Sequence, residues 1–508
     1  MDLTLVDAVA FIGFLAIVVA VSLYASRGER TDVDYFLAGR GLTWSLVGFS
    51  LIASNISTEH FVGMAGAGFG EAGLAIASYE WIAAVVLVVV ALVMLPAFLK
   101  LGVFTMPEFL ERRFNGFART VMATYMMIAY VGVAIAAVLY SGAIGLEAIF
   151  GLDLYAGIWL IGAIAGVYTV YGGLKAVVWS DLLQGAALLI GGAFVAVVAL
   201  GEVGGLSAFL DASADKLHVV LPAEHSEIPW TALIVGIWIP NFFYWGCNQF
   251  ITQRTLGAKN LAQGQKGALL AAGIKLIIPF IIVFPGIMAL QLYGNQIADG
   301  DQAYPILIKN LVPVGLRGVM FAALFGAVMS SLDSMLNSAS TIFTMDLFRR
   351  HIKPDVDDKS LVKIGRIATG AFVVVGCLLA PLPGEFEGVF QYIQMIWGFI
   401  SPGVVAAFLF GFVVRRAPAN AAVVALFLSP IVYGALLFFA PEVAFLNHMA
   451  ITFGAIVATM TVMTILNPRE TPALDEDPPD FDMTPAPSAK YAGAAVLVGV
   501  VALYIVFW

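Results

Sequence analysis

Charged residues are scarce in this chain. Asp, Glu, Lys and Arg make up 12% of the 508 residues, whereas 61% are hydrophobic. A water-soluble domain carries about 25% charged residues, so too little polar surface exists to cover a soluble body. Cysteine is almost missing: Cys247 and Cys377 each fall inside an apolar run, which argues against a disulfide framework or a zinc site. The five histidines are scattered without metal-ligand spacing. Basic charge is not in excess either, the formal net charge being −9, and nothing points to nucleic acid as a partner. There is no phosphate-cradling GxxxxGKS/T loop, no kinase module and no soluble domain. Uphill work would therefore draw on an ion gradient. What remains is apolar sequence, with a mean hydropathy of +0.95, and the lipid bilayer is its expected surrounding.

A membrane-crossing helix needs about 20 mostly apolar residues. About fourteen such stretches occur, near 4–25, 43–66, 73–99, 119–149, 154–172, 178–200, 229–250, 265–293, 314–345, 363–382, 388–414, 419–440, 445–466 and 489–508. Unbroken runs such as Ile82–Ala97 favour helices over barrel strands, which would alternate polar and apolar residues. The first run is too long for a signal-peptide core and reads as a retained helix. Alternate loops hold nearly all the Lys and Arg, among them Arg27, Arg40, Lys100, Arg112, Arg113, Lys175, Arg254, Lys259, Arg349, Arg350 and Arg415. The opposite set is acidic at Glu202, Asp211, Asp215, Glu224 and Glu227. By the positive-inside rule the basic loops are cytoplasmic, which places both termini outside. Residues 467–488, rich in Pro and acid, read as a cytoplasmic linker to the last span.

Two spans carry interruptions at matching places. The second has a polar patch, Ser50 to His60, followed by Gly63, Gly66 and Gly68; the seventh has Trp238-Ile-Pro-Asn241, where Pro240 cannot donate a backbone hydrogen bond. Backbone without helical partners is tolerated at membrane depth only where it lines a cavity or site. Spans five apart cross in opposite directions, the pattern of inverted-repeat transporters that bind solute and ion at two midplane breaks. Polar side chains within spans are costly and face a cavity or a partner. Here they are Asn55, His60, Glu80, Asn241, Lys275 and Gln394, with aromatic Tyr244 and Trp245 nearby. Carboxylate, ammonium, amides and an imidazole suit the ring of hydroxyls on a neutral sugar. Against a sugar site stand two plainer roles: a structural ion pair between Glu80 and Lys275, and interhelical hydrogen bonds from the two Asn.

The stretches DYFLAGRGL, SLIASNIS, GLAIASYEW, YGGLKAVVWSDLLQ, YWGCNQFITQRTL, FAALFGAVMSSLDSMLNSASTIFTMD and FQYIQ resemble those of the sodium/glucose cotransporters in the sodium/solute symporter family. The likeness covers roughly residues 34–466. It implies an all-α integral membrane protein with a five-plus-five inverted-repeat (LeuT-like) core. On that reading residues 1–30 form an extra N-terminal helix. Residues 31–203 and 204–414 are the two repeats, 415–466 peripheral helices, 467–488 the linker and 489–508 the last span. The implied activity is sodium-driven hexose uptake at the plasma (inner) membrane, with a sugar and sodium as partners and no obligate protein partner.

By the same resemblance, Glu80, Asn241, Lys275 and Gln394 hold the sugar. Tyr244 closes the inner side, and Met64, Tyr79 and Phe390 form the outer gate. His60 stands where bacterial galactose-transporting members have Gln, and Ala83 where they have Ser, so the preferred hexose stays open. Sodium, a hard cation, takes oxygen ligands: carbonyls near Ala53, Ile56 and Ala327 with the hydroxyls of Ser330 and Ser331 match the family's sodium positions. Less expected is Asp333, where relatives carry Ala, Thr or Ser. With Asp181 and Ser334 it would hold a second cation or a proton; the alternative is a hydrated carboxylate facing the cytoplasmic vestibule. Symport of inositol, a sialic acid or an amino acid is the nearest rival function. A non-transporting sugar sensor is more distant, and an integral-membrane enzyme more distant still, since no nucleophile–base pair or metal cluster is present.

Overall fold

The computed structural model describes residues 4–27, 31–57, 59–298, 300–382, 389–470 and 481–508, with the side chains of 59, 148–150, 168 and 389–392 left aside. Among the described residues the fold is all helix, with two isolated bridges and no strand. Eleven helices among the described residues are long and apolar enough to cross a membrane, and Leu154–Val167 and Ala232–Cys247 are shorter apolar helices. The elements that build the site are α1 (Leu5–Ala25), α2 (Trp44–Asn55), α3 (Ala65–Phe69), α4 (Ser78–Val89) and α5 (Leu154–Glu202). They continue with α6 (Trp238–Phe242), α7 (Gln249–Leu256), α8 (Leu261–Tyr293), α9 (Leu316–Ile342), α10 (Val389–Val413) and α11 (Ala489–Val506).

A helix that faces lipid can show Leu, Val and Phe outward, whereas one at the centre is enclosed all round. The span containing α9 is 94% buried and the outlying Phe445–Leu466 helix 22%, so α9 is the hub. Its N-terminus is closed by another helix: the Asp7 carboxylate of α1 accepts from the backbone N–H of Gly315 at 2.7 Å and of Gly318 at 3.2 Å. An anion there satisfies free amides at the positive end of the helix dipole.

The second span is interrupted as the sequence indicates. α2 stops at Asn55, Ile56 is extended (φ −76°, ψ 108°), and helix resumes as a wide turn over Glu59–Met64 before α3. In the seventh span the break is not at Pro240. The chain is helical through α6, and the extended residue is Asn248 (φ −87°, ψ 123°), after which α7 starts. Pro240 is accommodated because the turn before it is wide: Ile237 N–H bonds back to Ala232 O at 2.9 Å, five residues away. That widening relieves the clash a proline ring has with the preceding turn. The Asn248 amide, fastened by the Tyr130 hydroxyl, and its carbonyl, taken by Thr252 Oγ1 at 2.9 Å, hold the true break.

Between the stretches 154–172 and 178–200 there is no loop, only Gly173 (φ 50°, ψ −153°) inside α5. A Cβ there would lie 2.4 Å from Tyr35 O, so both the backbone conformation and the close approach require glycine. Around this corner the two arms of α5 run back along α9: Thr169 reaches Asp333, and Asp181 reaches Ser330. Two arginines counted among the cytoplasmic loop charges are buried inside the protein. Arg113 is buried and donates to Gly411 O at 2.8 Å, and Arg254 is buried beneath α2 and α9.

The last helix packs on α4 and α8, its Phe507 stacked 6.2 Å from Trp81. It begins beside residues 260–265, where Leu261 N–H meets Asp482 O at 3.1 Å, and ends at Val219, whose N–H meets Phe507 O at 2.9 Å. Within the predicted linker, residues 471–480 lie outside the described residues.

Candidate functional site

The break after Asn55 lies at a buried polar cluster. Glu80, in the first turn of α4, and Lys275, midway along α8, are enclosed in apolar neighbours, and their Oε2 and Nζ are 2.5 Å apart. Lys275 also donates to Asn55 Oδ1, at the end of α2, and its Nζ lies 5.0 Å from the centre of the Trp245 ring. His60 Nε2, just beyond the break, is 3.4 Å from Glu80 Oε1. Thus Asn55, His60, Glu80, Trp245 and Lys275 meet, although the sequence spreads them over about 220 positions. A buried ion pair is tolerable when both partners are fully engaged, and this one ties α2, α4 and α8 together at the break.

The remaining solute candidates form the adjoining wall. The Tyr79 hydroxyl hydrogen-bonds Gln394 of α10. Asn241 Nδ2 donates to Ile237 O of its own helix at 2.9 Å, so its amide is held by α6 rather than by the Glu80 cluster. Tyr244 stands edge-on to Trp245 (5.1 Å) and to Phe250 (5.3 Å). Met64 is buried, and the Phe390 side chain lies outside the described residues. A cleft opens beside Tyr244, walled by Asn55, Ser54 and Ser57 from the break, by Ser331 and Met335 of α9, and by Ile393 and Trp397 of α10. Of the solute candidates Asn55 and Tyr244, and of the ion candidates Ser331, line this cleft.

On the α9 side of the break, Ser331 Oγ is 3.4 Å from Ser54 O, and Ser334 Oγ is 3.1 Å from Ser54 Oγ and 2.6 Å from Ser330 O. Helix termination at Asn55 frees the carbonyls of the last turn of α2, where Ala53 lies, with Ile56 at the break itself. Ser331 meets that turn at Ser54 O, and Ala327 and Ser330 lie on the same buried stretch of α9. Uncharged oxygens from two helices that meet at a break can hold a monovalent cation.

The two aspartates have different partners. Asp181 accepts from Ser50 and Ser330 at 2.5 Å each and from Ser54 at 3.1 Å, and it pairs with Arg254 Nη2 at 3.1 Å. Arg254 further donates to Ser50 Oγ at 2.8 Å, to Ser334 Oγ and to Phe250 O. The position beside Ser334 that a second cation was expected to take is filled by this guanidinium. Asp333 accepts from Thr169 Oγ1 at 2.8 Å and is fully buried, so it is not a hydrated carboxylate in the vestibule. Arg254 was missed as a site residue because any arginine near a helix end enters the tally of loop charges. Its uncharged neighbours, FITQRTL, were the available signal.

The sodium:solute symporter family profile matches residues 35–429. A sodium/glucose cotransporter of Vibrio parahaemolyticus is 38% identical, with 100% of this chain and 99% of that protein covered. Sodium/myo-inositol cotransporter 2 of Mus musculus is 36% identical over 80% of this chain and 66% of its own. Among solved structures, the substrate-bound outward-open state of a Na+-coupled sialic acid symporter superposes with a TM-score of 0.84 at 22% identity, covering 92% of this chain and 100% of that one; it shares the fold. The chain belongs to the sodium:solute symporter family, a multi-pass membrane transporter in which sodium is the coupled ion.

Proposed function

We propose that the protein couples inward sodium movement to uptake of a hexose, glucose or galactose, across the plasma membrane by alternating access. The observation that carries this reading is the single break after Asn55. On one side it offers the Asn55–Lys275–Glu80–His60 cluster, and on the other the carbonyl of Ser54 against Ser331. Sodium seated at Ala53, Ile56, Ala327, Ser330 and Ser331 would fix the end of α2, and with it the amide of Asn55 that faces the solute. Glu80, Lys275, Asn241, Gln394 and His60 provide donors and acceptors for hydroxyls, with Trp245 beside them. Met64, Tyr79 and Phe390 cover the solute from outside, and Tyr244 yields inward. No step makes or breaks a covalent bond, so the protein acts as a transporter and not as an enzyme.

The charge balance favours a neutral polyol. Lys275 is compensated by Glu80, which leaves little to attract an anion such as a sialic acid. Inositol presents the same ring of hydroxyls and is the second reading. Fourteen spans, with repeats over 31–203 and 204–414 and both termini outside, complete the scheme. It is supported by the course of α11 from the basic residues near 260 to the acidic loop at 219. At 100 mV an entering charge releases about 2.3 kcal/mol, and a tenfold sodium gradient adds about 1.4. One sodium ion then sustains roughly 500-fold accumulation of a neutral sugar. In proteoliposomes, labelled glucose or galactose should enter only under an inward sodium gradient. Uptake that ignores sodium, or is competed only by a non-polyol solute, would overturn the assignment.

A further inference from the structure

The last helix packs on the two helices that carry the Glu80–Lys275 pair, α4 and α8. Its buried residues, Ala489, Gly493, Val496 and Val500, recur at three- and four-residue spacing, so one stripe of α11 faces the protein. Glycine lets the backbones approach: a Cβ at Gly493 would be 3.0 Å from Val88 Cγ1 of α4, and one at Gly499 would be 2.9 Å from Leu276 Cδ1 of α8.

The stripe continues to Tyr504 and Phe507, whose rings meet Trp81. Phe507 stacks on it at 6.2 Å with 25° between the planes, and Tyr504 stands edge-on at 5.7 Å. Trp81 is 0% exposed and directly follows Glu80 on α4. Its Nε1 donates to the carbonyl of Leu276 at 3.4 Å, and Leu276 directly follows Lys275 on α8. Successive helical residues point about 100° apart. Each helix therefore turns its charge toward its partner charge and the next residue toward α11. The Trp81–Leu276 bond crosslinks α4 to α8 one residue away from the ion pair, and α11 covers that crosslink.

Both ends of the segment are fastened as well. Ala486 N–H meets Gln265 Oε1 at 2.8 Å near the start of α8, and Phe507 O accepts from Val219 N–H at 2.9 Å. Three residues before Val219, Lys216 Nζ donates to Gly70 O at 2.7 Å, where α3 ends. The segment thus also reaches the second half of the broken helix.

We propose that residues 486–508 form a strap that positions the solute site, with Trp81 as the positioning residue that passes the hold of Phe507 and Tyr504 on to Glu80 and Lys275. This rests on the reading of that ion pair as part of the hexose site. The sodium positions lie on α2 and α9, so the strap acts on sugar affinity in preference to sodium affinity.

The test is uptake of labelled glucose and galactose by the full-length protein in proteoliposomes, with sugar and sodium half-saturation each measured while the other is saturating, and thermal stability in detergent alongside. Loss of uptake in Glu80→Ala checks the solute reading by itself. Phe507→Ala should raise the half-saturating sugar concentration about fivefold, the worth of one aromatic pair, and leave half-saturating sodium within about twofold of wild type. Phe507→Tyr keeps the ring and should stay within about twofold for both. Val498→Ala, on the exposed face of α11, should match wild type. Unchanged sugar half-saturation in Phe507→Ala overturns the proposal even where the melting temperature falls, since that pattern marks packing alone. So does an equal rise in sugar and sodium half-saturation, which marks a general loosening of the fold.

Discussion

Replacing Lys275 by Met tests whether the buried ion pair is a structural debt as well as a solute site. Lys275 Nζ is 2.5 Å from Glu80 Oε2 and 5.0 Å from the Trp245 ring centre, and the two charged side chains are 0% and 4% exposed. Removing one partner of such a pair strands the other, at a cost of about 3–5 kcal/mol, and the lost contact with Trp245 adds about 1 kcal/mol. Unfolding entropy of about 2 cal/mol/K per residue makes about 1 kcal/mol per degree for this chain length. The single variant should then melt about 4 °C or more below wild type in detergent. The companion Glu80→Gln/Lys275→Met has no stranded charge and should recover most of that loss. Neither variant should transport, because each lacks at least one of the groups proposed to bind the solute's hydroxyls. The measurement is a double-mutant cycle of thermal unfolding by intrinsic fluorescence, with uptake measured alongside. A double variant as unstable as the sum of its singles, or a Lys275→Met protein with wild-type stability, would refute the claim that the pair is tightly coupled.

Further outcomes follow from other contacts. Ser331→Ala removes a hydroxyl from the ion side while leaving the Glu80 cluster intact. It should raise the sodium needed for half-maximal uptake about tenfold, with little change in sugar affinity at saturating sodium. Gly173→Ala forces a side chain into a glycine-only conformation 2.4 Å from Tyr35 O and should destabilise by about 1–3 kcal/mol, read as a lower melting temperature. Glu111 bridges Arg119 (2.7 Å) and Arg350 (2.5 Å). Burial pushes its carboxyl upward, but the two guanidiniums outweigh burial and hold it below the usual value. A lowered carboxylate stabilises above its unfolded value, about 4.3, and loses that contribution as pH falls through the folded one. The melting difference between wild type and Glu111→Gln should accordingly be constant from neutral pH down to about 5 and shrink below about 4.

The membrane-spanning character and most helices were legible because hydropathy reports length and burial directly. The break after Asn55 was legible too, since Ser, Asn and Thr clustered within a span are costly unless they line a cavity or meet a partner. Pro240 misled, because a missing N–H predicts a lost hydrogen bond but not the wide turn at Ala232–Gly236 that absorbs the ring; the break at Asn248 carries only a common polar residue. The meeting of Asn55 with Glu80 and Lys275 depends on how three helices pack, which residue types only hint at. Arg254 shows the same limit: it was taken for a loop charge, and only the packing of α5 against α2 and α9 brings it onto Asp181, Ser50 and Ser334.

The central claim is that sodium at the α2–α9 contact and a hydroxyl-rich solute at Glu80 are held by the two sides of one helix break. The most direct measurement is the sodium dependence of labelled hexose binding to purified protein, comparing wild type with Glu80→Ala and Ser331→Ala. The account predicts sugar binding that tightens as sodium rises, vanishes in Glu80→Ala, and in Ser331→Ala returns at higher sodium. Sugar affinity independent of sodium in the wild type, or sodium-dependent binding that survives Glu80→Ala, would contradict it.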